Sequence, residues 1–398
     1  MTDATTPPAA AMLGRLHHIT TIAADAAANL AFFRNVLGLR LIKRTVNFDD
    51  PGTYHLYYGD ETGSPGAILT VFPYVGAAPG RHGTGQAEEI AFAIPPASLG
   101  FWIERLAAHG VAADTPAKRF GETVLAFRGP DGLLLELVTD AAAAPLPGFA
   151  QEGVPAEHAI RGFSGITLWL DDTAPTARVL TEVLGYAPGP VEGARQRFIH
   201  PGPGLGRTVD LRAAPGFWRG AQGAGTIHHI AFRAASDAAQ AGASRALAAL
   251  GIAVTEQVDR TYFRSTYFRE PGGVLFEIAT DDPGFAIDEP RERLGESLML
   301  PARYEAHRAA ITAALPVLEP ASPGRPAPRR RWSPRWSPPW PPAASSSISA
   351  TPSPTVRRSI RATSAAAQAS ATSPPPAGRR RRPSAVPSPT SACPSARC

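Results

Sequence analysis

The sequence predicts an α+β fold of four βαβββ modules in two tandem pairs, followed by a C-terminal tail of a different character. Three observations carry this expectation. The string PDGLLLELVTD at 130–140 returns as PGGVLFEIATD at 271–281, and AEEIAF at 87–92 returns as IHHIAF at 227–232, so the second and fourth segments are copies. VLGL at 36–39 returns as VLGY at 183–186, which pairs the first segment with the third. Composition then changes sharply near residue 320.

The modules lie near residues 16–75, 86–140, 160–213 and 226–281, each a strand, a helix and then strands joined by Gly-rich turns. In the first, Asp25 suits a helix N-cap, Leu30, Phe33 and Leu37 form an i, i+3, i+7 stripe, and Gly38 fits the position after the helix end. In the second, Leu99, Trp102, Ile103 and Leu106 make the stripe and Gly110 follows it. The third offers Val179, Leu180, Val183 and Leu184 before Gly185, and the fourth an Ala-rich helix from Asp237 to Leu250 that stops at Gly251. These apolar stripes are expected to be core. Strand-rich stretches follow the helices, as in YHLYY at 54–58 and AILTVF at 67–72.

This divides the chain into a flexible N-terminus (1–15), a first two-module domain (16–140), an Ala/Pro/Gly linker (141–159) and a second two-module domain (160–281). An extension with a closing helix that ends near Leu315 (282–320) and a disordered tail (321–398) complete it.

Charge separates the tail from the rest. Residues 321–398 hold thirteen Arg, no Lys and no acid, so residues 1–320 carry 26 basic and 34 acidic side chains. The basic balance therefore belongs to the tail, and the globular part is not expected to bind nucleic acid. Trp332, Trp336 and Trp340 stand among the arginines, a mixture that can serve nucleic acid; all-Arg basic usage with abundant Ala, Pro and Gly better matches a GC-rich gene read out of frame. Both cysteines, Cys393 and Cys398, lie in the tail, so the core has neither a disulfide framework nor a thiol nucleophile. No run of 18 apolar residues and no secretory signal pattern occurs, and the expectation is a cytoplasmic protein with no membrane partner.

Chemistry enters with two double histidines. Strand alternation puts Ile227, His229 and Ala231 on one face, and Leu275, Glu277 and Ala279 share a face of the last strand. If those strands are neighbours in one curved sheet, an imidazole and a carboxylate converge on its hollow side. LHHITT at 16–21 repeats the pattern and supplies His18 as a third ligand. Two His and one carboxylate on one side of a metal form the facial triad of non-haem Fe(II) oxygenases, which leaves positions open. A lone His pair in a strand is more often one packed and one exposed ring, so the case rests on two pairs and a phased Glu together.

LHHIT at 16–20, VLGLR at 36–40, YHLYYG at 54–59, IHHIA at 227–231 and YFREPGGVLFE at 267–277 together resemble the vicinal oxygen chelate superfamily. Within it they resemble the hydroquinone ring-cleaving dioxygenases of the chlorohydroquinone 1,2-dioxygenase group, over about residues 14–318. The resemblance implies paired modules forming open, cup-shaped mixed sheets, Fe(II) (or Mn(II)) held by His18, His229 and Glu277, and a small aromatic substrate with O2 as co-substrate. It also implies Thr20, His228, Arg260 and Tyr267 around the substrate, with His17 a weaker candidate, Tyr267 moving a proton and Arg260 stabilising oxyanion charge. His17 and His228 alternate away from the metal face, so direct contact needs a twist or bulge. A second cup, between units two and three, has Glu89 and Glu136 where the fourth unit has His229 and Glu277, and FSGITL at 163–168 brings no His, so that cup is expected to be metal-free.

Two other readings stay open at this level. A glyoxalase-like isomerase uses more protein ligands, and residues 67–72 offer no carboxylate for one. A small-molecule-binding protein of the same scaffold needs no metal. The sequence leaves homo-oligomerisation open.

Overall fold

The computed structural model describes residues 13–151 and 153–318. The expected tail and most of the expected flexible N-terminus lie outside the described residues. The four βαβββ units are present in order. Unit one contains β1 (Leu13–Ala23), α1 (Ala26–Ala31), β2 (Arg40–Asn47), β3 (Asp50–Gly59) and β4 (Ile68–Pro73). Unit two contains β5 (Gln86–Ile94), α2 (Leu99–Ala108), β6 (Ala117–Arg119), β7 (Glu122–Arg128) and β8 (Leu134–Thr139). Unit three contains β9 (Phe163–Leu170), α3 (Ala174–Arg178), β10 (Ala187–Glu192), β11 (Arg195–Ile199) and β12 (Thr208–Ala213). Unit four contains β13 (Thr226–Ala234), α4 (Asp237–Ala249), β14 (Val258–Asp259), β15 (Arg264–Arg269) and β16 (Leu275–Thr280).

Two eight-stranded mixed sheets result. One runs β14-β15-β16-β13-β1-β4-β3-β2, joining units one and four, and the other runs β10-β11-β12-β9-β5-β8-β7-β6, joining units two and three. Each is closed at its centre by an antiparallel pair from two different units, β1 with β13 and β5 with β9. Parallel pairs flank each centre, β4 on β1 and β16 on β13 in the first sheet. The strands that carry the candidate ligands are therefore the three middle ones.

Helix boundaries follow local chemistry. Asp25 Oδ1 accepts from the Ala28 amide at 2.9 Å, the N-cap bond its side chain suits. After α1 the chain widens into an i→i+5 turn, Leu37 N to Phe32 O at 3.1 Å, before Gly38 takes φ +67°. Unit three repeats this turn, with Leu184 N bonded to Val179 O at 3.1 Å and Gly185 at φ +73°. The repeat thus extends to an irregular turn that the periodicity does not announce. Leu30, Phe33 and Leu37 are buried, as are Trp102 and Leu106 and all four stripe residues of unit three. Ile103 departs from the expected stripe: it is 41% exposed, because one residue past Trp102 it is rotated about 100° from the line of Trp102 and Leu106.

One large apolar cluster holds the helix stripes against both sheets. A smaller one, including Ile42, Tyr57, Ala231, Phe263, Phe285 and Leu294, lies on the hollow side of the first sheet. Phe285 and Leu294 belong to the segment after unit four, so the extension packs across one end of that cup. Lys43, fully buried, ties it there through Asp288 Oδ1 and Glu289 Oε2, each at 2.6 Å. The closing helix is α5 (Arg308–Ala314). No helix among the described residues is long and apolar enough to cross a membrane.

Candidate metal centre

The register of the first sheet brings its three candidate ligands together. His18 on β1 stands opposite Ala231 on β13, which stands opposite Glu277 on β16, so the three form one row across adjacent strands. His229, two residues from Ala231, points to the same face, opposite Thr20. The outcome is a tight triangle: His18 Nε2 to His229 Nε2 3.3 Å, His18 Nε2 to Glu277 Oε2 3.3 Å, and His229 Nε2 to Glu277 Oε2 2.9 Å. One ligand atom from each lies within 4.8 Å of the others, and all three side chains are buried.

Glu277 is held in place by Ser265, whose hydroxyl donates to Oε1 in a short bond. Its Oε2 is buried and has no directed hydrogen bond, although two imidazole nitrogens face it. Burial pushes this carboxyl up, but the His18 and His229 rings outweigh that and hold it well below its ordinary range. Burial also pushes His229 down. An ionised carboxylate and two imidazole nitrogens aimed at one buried point, with an oxygen left unpaired, fit a divalent cation.

The outer nitrogens of both imidazoles are occupied by their sequence neighbours. His17 Nδ1 lies 2.9 Å from His18 Nδ1, and His228 Nδ1 lies 2.7 Å from His229 Nδ1. Burial, then the adjacent ring, pushes His17 and His228 down to about 3, so both are neutral. Irregular register on either side of His18, between Leu16 and His18 and between Thr20 and Thr21, supplies the twist that adjacent side chains need to meet.

Thr20 shares the His18 face as alternation requires: its hydroxyl is 2.8 Å from His229 Nε2 and 2.7 Å from Thr70 Oγ1. Arg260 and Tyr267 meet each other, Arg260 Nε donating to the tyrosine oxygen at 3.0 Å, with Asp49 3.3 Å from the same guanidinium. The Tyr267 ring centre is 5.9 Å from that of His229. Burial and the Glu277 charge push the Tyr267 hydroxyl far above its ordinary value, so it is protonated.

Sequence reasoning missed a polar chain on β3 and β4. Tyr57 OH is 2.9 Å from His55 Nδ1, and His55 Nε2 is 3.0 Å from Thr70 Oγ1, which leads to Thr20. Part of the signal was available, since His55 and Tyr57 alternate onto one face of YHLYYG; that Thr70 sits across from Thr20 emerges only from the β1/β4 register. Ser265 had no such signal, since a serine in a strand is unremarkable.

Comparison with known proteins follows the same lines. The family described as Glyoxalase/Bleomycin resistance protein/Dioxygenase superfamily matches residues 15–137 and 162–278. A Bacillus subtilis strain 168 protein named "Putative ring-cleaving dioxygenase MhqO" is 46% identical over 297 residues, covering 74% of this chain and 94% of its own. The chlorohydroquinone/hydroquinone 1,2-dioxygenase of Sphingobium indicum is 33% identical over 298 residues, 73% of this chain and 92% of that one. Among solved structures, a Bacillus subtilis protein described as a "putative dioxygenase" is 44% identical with a TM-score of 0.72, over 77% of this chain and 98% of that chain. Glyoxalase I from Zea mays, 14% identical with a TM-score of 0.51 over 67% of this chain and 92% of its own, shares the fold. Two matched segments that take in all four βαβββ units, together with relatives aligned over nearly their whole length, lead to one statement: the chain belongs to the Glyoxalase/Bleomycin resistance protein/Dioxygenase superfamily.

Proposed function

We propose that this chain is a non-haem Fe(II) dioxygenase that opens a hydroquinone-type aromatic ring and inserts both atoms of O2, with Mn(II) the alternative metal. His18, His229 and Glu277 hold the ion. The observation that carries the reading is their convergence within 4.8 Å while β4 presents the hydroxyl of Thr70, not a carboxylate, to the same cup. Three protein ligands leave room for two further oxygen donors. A ferrous ion held by these residues would supply Lewis acidity and open positions for an aromatic hydroxyl and for dioxygen.

The chain's own groups set up the rest. Tyr267 stays protonated, and the Arg260 Nε–H donates to its oxygen, so the phenol can pass its proton toward the ring oxygen as charge develops. The Arg260 guanidinium carries fixed positive charge beside the cup, partly balanced by Asp49, and stabilises an oxyanion. His17 and His228 hold the orientation of the ligand rings through the outer nitrogens, beside the substrate contact expected for them. Thr20, joined to Thr70 and His55, orients the substrate hydroxyl. The relatives named as ring-cleaving dioxygenases support the reaction class, and the chlorohydroquinone/hydroquinone enzyme supports the substrate class.

The test is anaerobic loading with Fe(II) or Mn(II), then oxygen uptake on hydroquinone, catechol and methylglyoxal–glutathione adduct. Oxygen consumption with the first, lost in Glu277→Ala while the fold is kept, is the expected result. Isomerisation of the thiol adduct without oxygen uptake would refute it in favour of the glyoxalase-like alternative.

A further inference from the structure

The second cup repeats the first strand by strand, and the register gives the counterpart of each site residue. Ala91 stands opposite Glu136 as Ala231 stands opposite Glu277, so Glu89 matches His229 and Glu136 matches Glu277. Gly165 on β9, opposite Thr208, matches His18, opposite Ile68; Ala126, opposite Glu136, matches Tyr267, opposite Glu277. Thr167, opposite Asp210, matches Thr20, opposite Thr70.

Arginines hold the floor of this cup together. The Arg119 guanidinium grips both oxygens of Glu136, with Nη1 at 2.8 Å, and lies 4.0 Å from Glu89 Oε2. Arg195 donates to Glu89 Oε2 at 2.8 Å, and Arg197 is bidentate on Asp210 at 2.9 and 3.1 Å with Glu122 at 2.7 Å. Arg212 lies 3.5 Å from Glu89 Oε1. Four guanidinium groups meet four carboxylates, so the floor is neutral.

Above the floor is a cavity of about 790 Å³ lined by Glu89, Glu136, Trp169, Ala126, Leu134 and Phe32 among others. It opens where Ala126 leaves the space that Tyr267 fills in the first cup. Its volume is within the range of small-molecule pockets, and its lining of flat and aliphatic side chains with a few convergent polar atoms is the composition such pockets have.

We propose that this cavity is a second, metal-independent binding site for a small neutral aromatic ring bearing a hydroxyl group. The ring lies among Trp169, Leu134 and Phe32. The hydroxyl donates to a carboxylate oxygen of Glu136 or of Glu89, whose Oε1 also accepts from Trp169 Nε1 at 3.0 Å; a carboxylate oxygen has a second lone pair beyond such a bond. Arg119 Nε, buried without a partner, leaves a donor on the guanidinium that holds Glu136. A charged ligand gains nothing from a floor whose charges are already balanced, and would lose its hydration. The site does not depend on the reaction proposed for the first cup.

The test is direct binding of phenol and of hydroquinone, without oxygen, to the full chain stripped of metal by chelator, by calorimetry and ligand-detected NMR. We expect saturable binding with a dissociation constant on the order of a millimolar, as suits so few atoms. Ala126→Trp fills the cavity and weakens this binding at least roughly tenfold, or removes one equivalent where the first cup also takes the ring. Ala113→Trp, at an exposed rim position, does the same and serves if the first variant does not fold. Unchanged stoichiometry and affinity in the folded variants would overturn the proposal. So would the lack of saturable binding to the parent chain, or tighter binding of 4-hydroxybenzoate than of phenol.

Discussion

Glu277→Gln separates a metal ligand from a structural acid by the way stability responds to metal. In the metal-free protein the Glu277 carboxylate is held ionised against burial by the His18 and His229 rings, whose Nε2 atoms lie 3.3 and 2.9 Å from Oε2. A neutral amide of the same shape keeps the oxygen that Ser265 holds but gives up that attraction, roughly 1.5–3 kcal/mol for a hydrogen bond to a charged group. For a body of this size that lowers the melting temperature by roughly 3–10 °C in the presence of chelator. Metal widens the gap. Mn(II) at about a hundred times its dissociation constant stabilises the parent by about 2.7 kcal/mol, or roughly 5–10 °C, and does nothing for the variant, whose amide is a poor ligand. Anaerobic scanning fluorimetry with chelator and with Mn(II) gives all four melting temperatures. A variant that melts above the parent in chelator, or that climbs with Mn(II) as the parent does, refutes the reasoning.

His228→Leu removes the partner of the His229 outer nitrogen, so metal affinity measured by competition with a chelator should fall about 10–100-fold while the secondary structure is unchanged. Lys43→Met leaves Asp288 and Glu289 without their buried partner and should cost about 3–5 kcal/mol in denaturant unfolding; adding Asp288→Asn and Glu289→Gln should recover much of that, because the unpaired charges go too. His82 Nδ1 sits 2.5 Å from the buried Glu88 carboxylate, and that hydrogen bond raises its pKa above the unfolded value. The pair's contribution is then complete below about pH 6.5 and lost as pH rises through the raised folded value, so the stability gap between parent and His82→Asn should be wider at pH 6 than at pH 9.

The convergence of His18, His229 and Glu277 was legible because two independent patterns agree on it. The double histidine of LHHITT recurs in IHHIAF, Glu277 sits in a repeated string, and strand alternation chose one residue of each pair. The surrounding polar chain was harder to read. Thr20, Thr70, His55 and Tyr57 are hydroxyls and rings of the kind that strands bury for packing, and only the β1/β4 and β3/β4 registers make a line of them. His17 and His228 show the reverse case, since alternation sent them away from the cup and local twist returned their Nδ1 atoms to the ligand rings. Lys43 reads as a surface lysine until the extension that buries it is in place, and nothing periodic in residues 282–300 announces that contact.

The contrast between the cups has a packing cause that no periodicity carries. A side chain at position 165 would begin 2.0 Å from Thr208 Oγ1 and 2.7 Å from the Thr208 carbonyl oxygen, far inside contact distance. Gly165 is therefore required by the close approach of β12 to β9, and Thr208 Oγ1 fixes that approach by donating to Ser164 O at 2.8 Å. A histidine matching His18 cannot be accommodated there without moving a backbone oxygen. Once that ligand position is closed, Glu89 and Glu136 remain as two buried acids facing one cup, and uncompensated charge of that kind is costly. Arg119 and Arg195 supply the compensation in the form the geometry allows, planar groups that reach each carboxylate from the side. The same backbone register thus brings His18, His229 and Glu277 together in one sheet and a guanidinium lattice in the other, and the difference turns on whether one residue of the third unit has room for a side chain.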